Sequence, residues 1–177
     1  NAPWALAIGT RLRERYGLDV ASMHSDDGIV LRLPDTDAEV PGADLVVFDP
    51  DEIATLVTDA VGTSALFAAR FRECAARALL LPRRDPGKRS PLWQQRQRAS
   101  QLLQVAADYG DFPIVLEAMR ECLQDVFDLP GLTAIMREIA GRSTSVVEVE
   151  TPMASPFARS LLFGYVGAFI YDGDAPL

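Results

Sequence analysis

Three times in this chain a side chain able to cap a helix stands directly before a proline and immediately ahead of a helical apolar pattern: Asp49-Pro50, Ser90-Pro91 and Ser155-Pro156. Proline has no N–H to give to a helix ladder, and its φ is already helical. It is therefore tolerated in the first turn and disfavoured further in. The oxygen of the preceding Asp or Ser can accept one of the free N–H groups of that turn. Each pair fixes the start of a helix, and apolar residues recur downstream with helical period. Helices are predicted from Asp49-Pro50 to about Ala60, over 91–107 and over 156–171.

Other segments read the same way. Residues 3–16 carry Trp4, Leu6, Ile8 and Leu12, then Arg11, Arg13 and Arg15 near the end, with Gly17 as the stop. In 62–81 the line Phe67, Phe71, Cys74, Ala78 marks one face, and Arg70, Glu73 and Arg77 lie on another. Arg77 has Glu73 one turn back as a natural ion-pair partner. Helices at 112–127 and 131–140 are separated by Leu129-Pro130-Gly131. The last helix, with Phe157, Leu161, Leu162, Phe163, Tyr165, Val166, Phe169 and Ile170, has almost no polar face. A helix apolar all round is buried on all sides, here as the central core helix or as an interface.

Extended structure is minor. Two alternating runs, 18–24 and 29–33, flank Ser25-Asp26-Asp27-Gly28 and predict a hairpin. Residues 34–44 read as a polar loop, and 44–48 as a short strand or an extended link. In 145–151 Val147 and Val149 alternate with Glu148 and Glu150, which makes that segment a candidate third strand with one wet face. The expected fold class is α+β, predominantly helical, with a small antiparallel sheet.

At 177 residues one domain, with room for two lobes, is the default. Such a length buries roughly 70% of the unfolded surface. Two unclustered cysteines, Cys74 and Cys122, give neither a disulfide framework nor metal spacing, so a reducing, cytoplasmic setting is expected. The longest apolar run, within 161–170, is far short of the roughly 20 residues of a membrane span, and no membrane partner is expected. The chain begins Asn1-Ala2-Pro3 inside a helical pattern and stops at Pro176-Leu177, and is expected to be a piece of a larger protein.

Charge is segregated. Residues 70–98 hold nine basic side chains (Arg70, Arg72, Arg77, Arg83, Arg84, Lys88, Arg89, Arg96 and Arg98) against Glu73 and Asp85, a local net of +7 within a chain of net −8. A polyanion responds to the patch it approaches, not to the average. Trp93 lies among these residues. On a helical wheel Leu92, Ala99, Leu102, Leu103 and Ala106 cluster on one side, and Trp93 falls about 130° away, among Arg96, Gln97, Ser100 and Gln104. An indole beside cationic side chains is the pattern that tracks phosphates and stacks a base. The candidate contacts are Trp93, Arg83, Arg84, Lys88, Arg89 and Arg96. The bland alternative is an indole packed under the 82–90 loop with solvated arginines.

Rival chemistries are weaker. Pro86-Gly87-Lys88-Arg89-Ser90 fails as a phosphate loop: Pro82 stands where the first glycine is needed, and Arg89 where Ser or Thr is needed. Glu148 and Glu150 share a strand face, as in some metal-dependent nucleases, but lack a following lysine and a partner acid. His24 is the only histidine, and no zinc set forms around it.

Four segments carry a resemblance. They are Ser64-Ala65-Leu66-Phe67-Ala68-Ala69-Arg70-Phe71-Arg72-Glu73; Ala78-Leu79-Leu80-Leu81-Pro82-Arg83 with Pro91-Leu92-Trp93-Gln94-Gln95-Arg96; 120–128; and Ser155-Pro156-Phe157-Ala158 with 161–166. In this order they resemble the DEAD/H-associated domain of Lhr, the large helicase-related proteins of bacteria and archaea, from about residue 4 to the end. The resemblance implies a single such domain over 1–177, with two RecA-like motor domains and a winged helix lying elsewhere. It implies a 3′→5′ ATP-dependent helicase as parent, acting on single-stranded DNA and RNA–DNA hybrids during DNA repair. ATP and Mg²⁺ would belong to the motor domains, with no cofactor and no catalysis in this segment. It further implies Trp93 as a base-stacking wedge and Ile29, at the hairpin tip, as a second, apolar contact. Two rivals remain: a module that only braces the motor, its arginines docked on acidic neighbouring surfaces, and a nuclease using Glu148 and Glu150.

Overall fold

A computed structural model describes residues 1–34, 42–81, 91–107, 109 and 111–172, with backbone alone at 92, 107 and 165–172. The chain divides into two compact units, Asn1–Leu56 with Pro130–Leu177, and Val57–Leu129. Helices dominate, and among the described residues two short strands form the sheet.

In the first unit, α1 (Ala2–Tyr16) buries Ala5, Ile8 and Leu12 and ends where Gly17 turns left-handed at φ 65°. The Gly17 N–H donates to the carbonyl of Arg13 and the Leu18 N–H to that of Leu12, satisfying carbonyls that a helix end leaves open. Strands β1 (Ser22–Ser25) and β2 (Gly28–Leu31) pair antiparallel, with Met23 opposite Val30 and His24 opposite Ile29. The hairpin is shorter than the predicted 18–33. Its turn is Asp26-Asp27, held by the Asp27 N–H on Ser25 Oγ at 3.1 Å and by Asn1 Nδ2, which donates to the carbonyls of Ser25 and Asp26.

Residues 44–48 are not a strand. Ala43–Leu45 is a 3₁₀ turn, and Arg11 explains why. Its Nη1 donates to the carbonyls of Asp44 (2.7 Å), Leu45 (3.3 Å) and Val47 (2.5 Å), while its Cζ sits 3.3 Å over the Phe48 ring. Carbonyls gathered on one guanidinium cannot serve a ladder. Nη2 reaches Glu52 at 3.4 Å. Trp4 Nε1 donates to the Val46 carbonyl at 2.8 Å.

Residues 145–151 are not a strand either. They run without regular structure, with Val147 76% and Val149 72% exposed. Alternation needs a neighbouring edge to become a ladder, and none of the described strands pairs with it. Glu148 instead accepts the Ala43 N–H at 3.1 Å.

Helix α2 (Pro50–Gly62) starts as predicted, with Asp49 Oδ1 accepting from the N–H groups of Asp51 and Glu52. Its Ile53, Val57 and Val61 are fully buried. Helix α6 (Leu129–Ala140) buries Leu132 and Met136. Helix α7 (Pro156–Asp172) lies against the hairpin: a Cβ at Gly28 would meet Leu161 at 3.8 Å, and one at Gly164 would meet Met23 at 3.7 Å. Among its described side chains Leu161 is buried, whereas Phe157 and Phe163 are 70% and 84% exposed. It is therefore not a central core helix over its first half; one line of side chains meets the sheet, and the opposite line has no covering element among the described residues.

In the second unit, α3 (Ala65–Arg77) begins at Ser64, whose Oγ accepts the Phe67 N–H at 3.1 Å. Phe67, Phe71 and Cys74 are buried as the periodicity requires, with the two rings 6.5 Å apart. The helix stops four residues before the predicted 81, and Leu79 follows with φ 61°. Helix α4 (Leu92–Ala107) and α5 (Pro113–Arg120) both pack on α3. After α5 the chain widens into a π turn over Glu121–Val126, with the Phe127 N–H bonded to the Cys122 carbonyl. Cys74 and Cys122 are free and buried.

Candidate nucleic-acid interface

The local structure of α4 decides what its side chains can do. Ala99 and Ala106 are buried, and Leu102 and Leu103 half-buried, so the helix has a core side. Trp93 is on the other side and 62% exposed. Tryptophan is highly buried on average, so an indole this open offers its face to a ligand. It borders a shallow concavity of ≈ 300 Å³ with Gln94, Gln97, Arg98 and Gln101. That rim combines one π face, amide donors and acceptors, and one permanent cation, and holds no aliphatic side chain.

Arg96 and Ser100 follow Trp93 at i+3 and i+7 but border a different concavity. It lies between α3 and α4, measures ≈ 470 Å³, and is lined by Ala65, Ala68, Ala69 and Arg72 of α3 with Arg96, Ala99, Ser100 and Leu103 of α4. Arg83, Arg84, Lys88 and Arg89 lie outside the described residues, as does the predicted cap Ser90.

Ile29 belongs to the other unit. It is the second residue of β2, half-buried, and faces α1 across a ≈ 250 Å³ apolar cavity with Trp4, Ile8, Leu31 and Val46.

The remaining arginines of the second unit separate into two groups. Arg70 pairs with Glu73 at 2.8 Å. Arg77 pairs with Glu121 and not with Glu73, which Arg70 has taken. Arg120 pairs with Glu117 at 2.9 Å and Asp125 at 3.5 Å; its hydrogen bonds hold Glu117 below the usual carboxylate range. Arg72, Arg96 and Arg98 have no carboxylate within 4.0 Å among the described residues. These three were not resolved as a set by sequence. Arg96 was marked, while Arg72 and Arg98 were two cations among nine. A clue for Arg72 was its place on the Ala65, Ala68 line, away from Phe67 and Phe71.

Other chemistry finds little footing here. Burial pushes both thiols up, and Glu121 adds to this at Cys74, so neither is a ready nucleophile. Among the described residues no three of His, Cys, Asp and Glu stand together as metal ligands. No single described helix is long and apolar enough to cross a membrane.

Comparison with known proteins identifies the family. The family described as DEAD/H associated matches residues 1–158. A Mycolicibacterium smegmatis protein named Lhr helicase/probable uracil glycosylase is 68% identical over 177 residues, which is all of this chain and 12% of that protein. The Escherichia coli Lhr helicase/uracil glycosylase is 58% identical over 177 residues, again 12% of its length. An archaeal relative, the ATP-dependent helicase Lhr-Core of Methanothermobacter thermautotrophicus, is 28% identical over 94% of this chain and 19% of its own. Among solved structures, Mycobacterium smegmatis helicase Lhr bound to ssDNA and AMP-PNP matches with a TM-score of 0.78 at 68% identity, over 92% of this chain and 21% of that one.

Proposed function

The chain belongs to the DEAD/H associated family, and from that premise we propose that it is the strand-gripping accessory domain of a 3′→5′ ATP-dependent helicase of the Lhr type. In this reading it does no chemistry itself. Trp93 stacks on a base of single-stranded DNA, or of the strand paired in an RNA–DNA hybrid, while the basic segment around it holds phosphates. Ile29 makes a second, apolar contact. ATP and Mg²⁺ are bound by RecA-like motor domains, which together with a winged helix are its partners within the same polypeptide.

One observation carries the reading: an indole largely open to solvent on the polar side of α4, bordered by Arg98 and followed by Arg96. A motor must hold a strand without reading its sequence. Phosphate charge and stacking supply such a grip, because every base has a π face. The ssDNA in the solved relative supports the choice of ligand.

The test is Trp93→Ala in the full-length protein. Weaker single-strand binding and ATP hydrolysis that no longer drives unwinding are expected. Unchanged binding and coupling would leave the domain as a brace between its neighbours.

A further inference from the structure

Two helices that pack through alanine leave room between them unless something else fills it. Ala65, Ala68 and Ala69 of α3 and Ala99 and Ser100 of α4 line the space between the two helices, a groove of ≈ 470 Å³. That is within the range of small-ligand sites. Arg72 and Arg96 both border it, and Ser100 adds a hydroxyl. Like charges in one groove repel, and no carboxylate among the described residues offsets either guanidinium. The neighbouring arginines Arg70, Arg77 and Arg120 do have acidic partners. An anion in the groove removes the repulsion and meets donors whose planar fork matches phosphate oxygens.

We infer that the groove between α3 and α4 is a phosphodiester site, with one backbone phosphate of a single strand held between Arg72 and Arg96 and its sugar over the alanine floor. The inference rests on the strand-gripping reading and adds a second contact to it. A strand fits better than an acidic protein segment because of what lies alongside. Arg96 is three residues beyond Trp93, about 4.5 Å along the helix axis. A base on the indole therefore delivers its own backbone to the groove. The methyl floor offers no hydrogen-bond partner to a peptide backbone, and suits the apolar face of a sugar.

The experiment measures affinity of the full-length protein for a fluorescent oligothymidylate across a range of salt concentrations. Each phosphate contact contributes about 0.7 to the slope of log affinity against log salt for a single strand. The double variant Arg72→Gln/Arg96→Gln, which removes the one phosphate contact, is expected to flatten the slope by about 0.7. Arg72→Lys/Arg96→Lys, which keeps both charges, is expected to restore it and guards against misfolding as the cause. Trp93→Ala should weaken binding with the slope unchanged. A slope unaltered in the Gln variant overturns the groove site, and leaves the stacking reading standing if Trp93→Ala still weakens binding. A flattened slope with no effect of Trp93→Ala keeps the groove and removes the stacking. An unaltered slope together with a lower unfolding midpoint of the strand-free protein overturns the groove site in favour of an acidic segment of the polypeptide docked there.

Discussion

Arg77 on α3 forms its ion pair with Glu121, 44 residues further along the chain, although Glu73 stands one turn behind it on the same helix. The pair joins the end of α3 to the first residue of the π turn, and the Arg77 Nη2 also reaches Cys74 Sγ at 3.2 Å. Glu121 is the less exposed partner, at 13%. Glu121→Ala is therefore expected to lower the unfolding midpoint more than Glu73→Ala, since Glu73 is itself 46% exposed. Paired thermal melts check the ranking, and equal effects would count against a tertiary role for Arg77.

Arg11 should be the most sensitive charged residue of the first unit. Its side chain is 5% exposed and is bonded to three backbone carbonyls and to Glu52. Burial pulls its affinity for the proton below the ordinary arginine value, with Glu52 opposing. Arg11→Ala would leave buried carbonyls unanswered and release the 43–48 segment. A loss of about 3 kcal/mol is expected, measured by denaturant unfolding. A loss within the range of surface substitutions would mean that the carbonyls find water.

Stacking and charge predict different rescue patterns at Trp93. Replacement by Ala should weaken single-strand binding by about 1–3 kcal/mol. Trp93→Phe should recover part of that, and Trp93→Leu less, since stacking needs a flat ring more than apolar area. Competition binding with a fixed oligonucleotide distinguishes the three. Equal affinity for Phe and Leu variants would remove the stacking role. Ile29→Ala is expected to cost less than Trp93→Ala, because Ile29 is half-buried and already has Trp4 and Ile8 as neighbours.

The thiols give a pH dependence with a definite sign. Burial raises both Cys74 and Cys122 in the folded chain. Once unfolded, they lose protons near the ordinary thiol pKa of about 8.5. Below that value both states hold the proton and stability does not change. Above it the unfolded state binds fewer protons than the folded one, so stability falls as pH rises. Denaturant midpoints between pH 7 and 10 should decline, and a Cys74→Ser/Cys122→Ser pair should flatten the decline. Native-state alkylation should be slow and should accelerate with mild denaturant.

Helix starts were legible because they are local. Asp49-Pro50 and Ser155-Pro156 begin α2 and α7 where the side-chain chemistry says they must. The apolar line of α3 was equally plain, since Phe67, Phe71 and Cys74 are set by a single period. What failed depended on distant partners. Residues 145–151 alternate as a strand does, but no described strand pairs with them, and Glu148 accepts the Ala43 N–H instead. Residues 44–48 bend because Arg11, more than thirty positions away, gathers their carbonyls. The π turn at Glu121–Val126 was not read from the sequence, where 112–127 carries one unbroken amphipathic pattern; the widening is a matter of backbone hydrogen bonding. For the interface, Trp93 could be placed by its angle on a wheel. The groove could not, because it is made by what two separate helices lack.

That lack makes room and charge separable at one place. A larger apolar side chain at Ala68 would grow into the space between α3 and α4 and leave Arg72 and Arg96 in position. Ala68→Leu is thus a plug that spares every cation: it takes away the shelf on which a backbone would lie while leaving the electrostatic attraction undiminished. The α3–α4 seam acts as a keyway whose width is set by methyl groups and whose selectivity is set by guanidiniums, and the two can be altered one at a time.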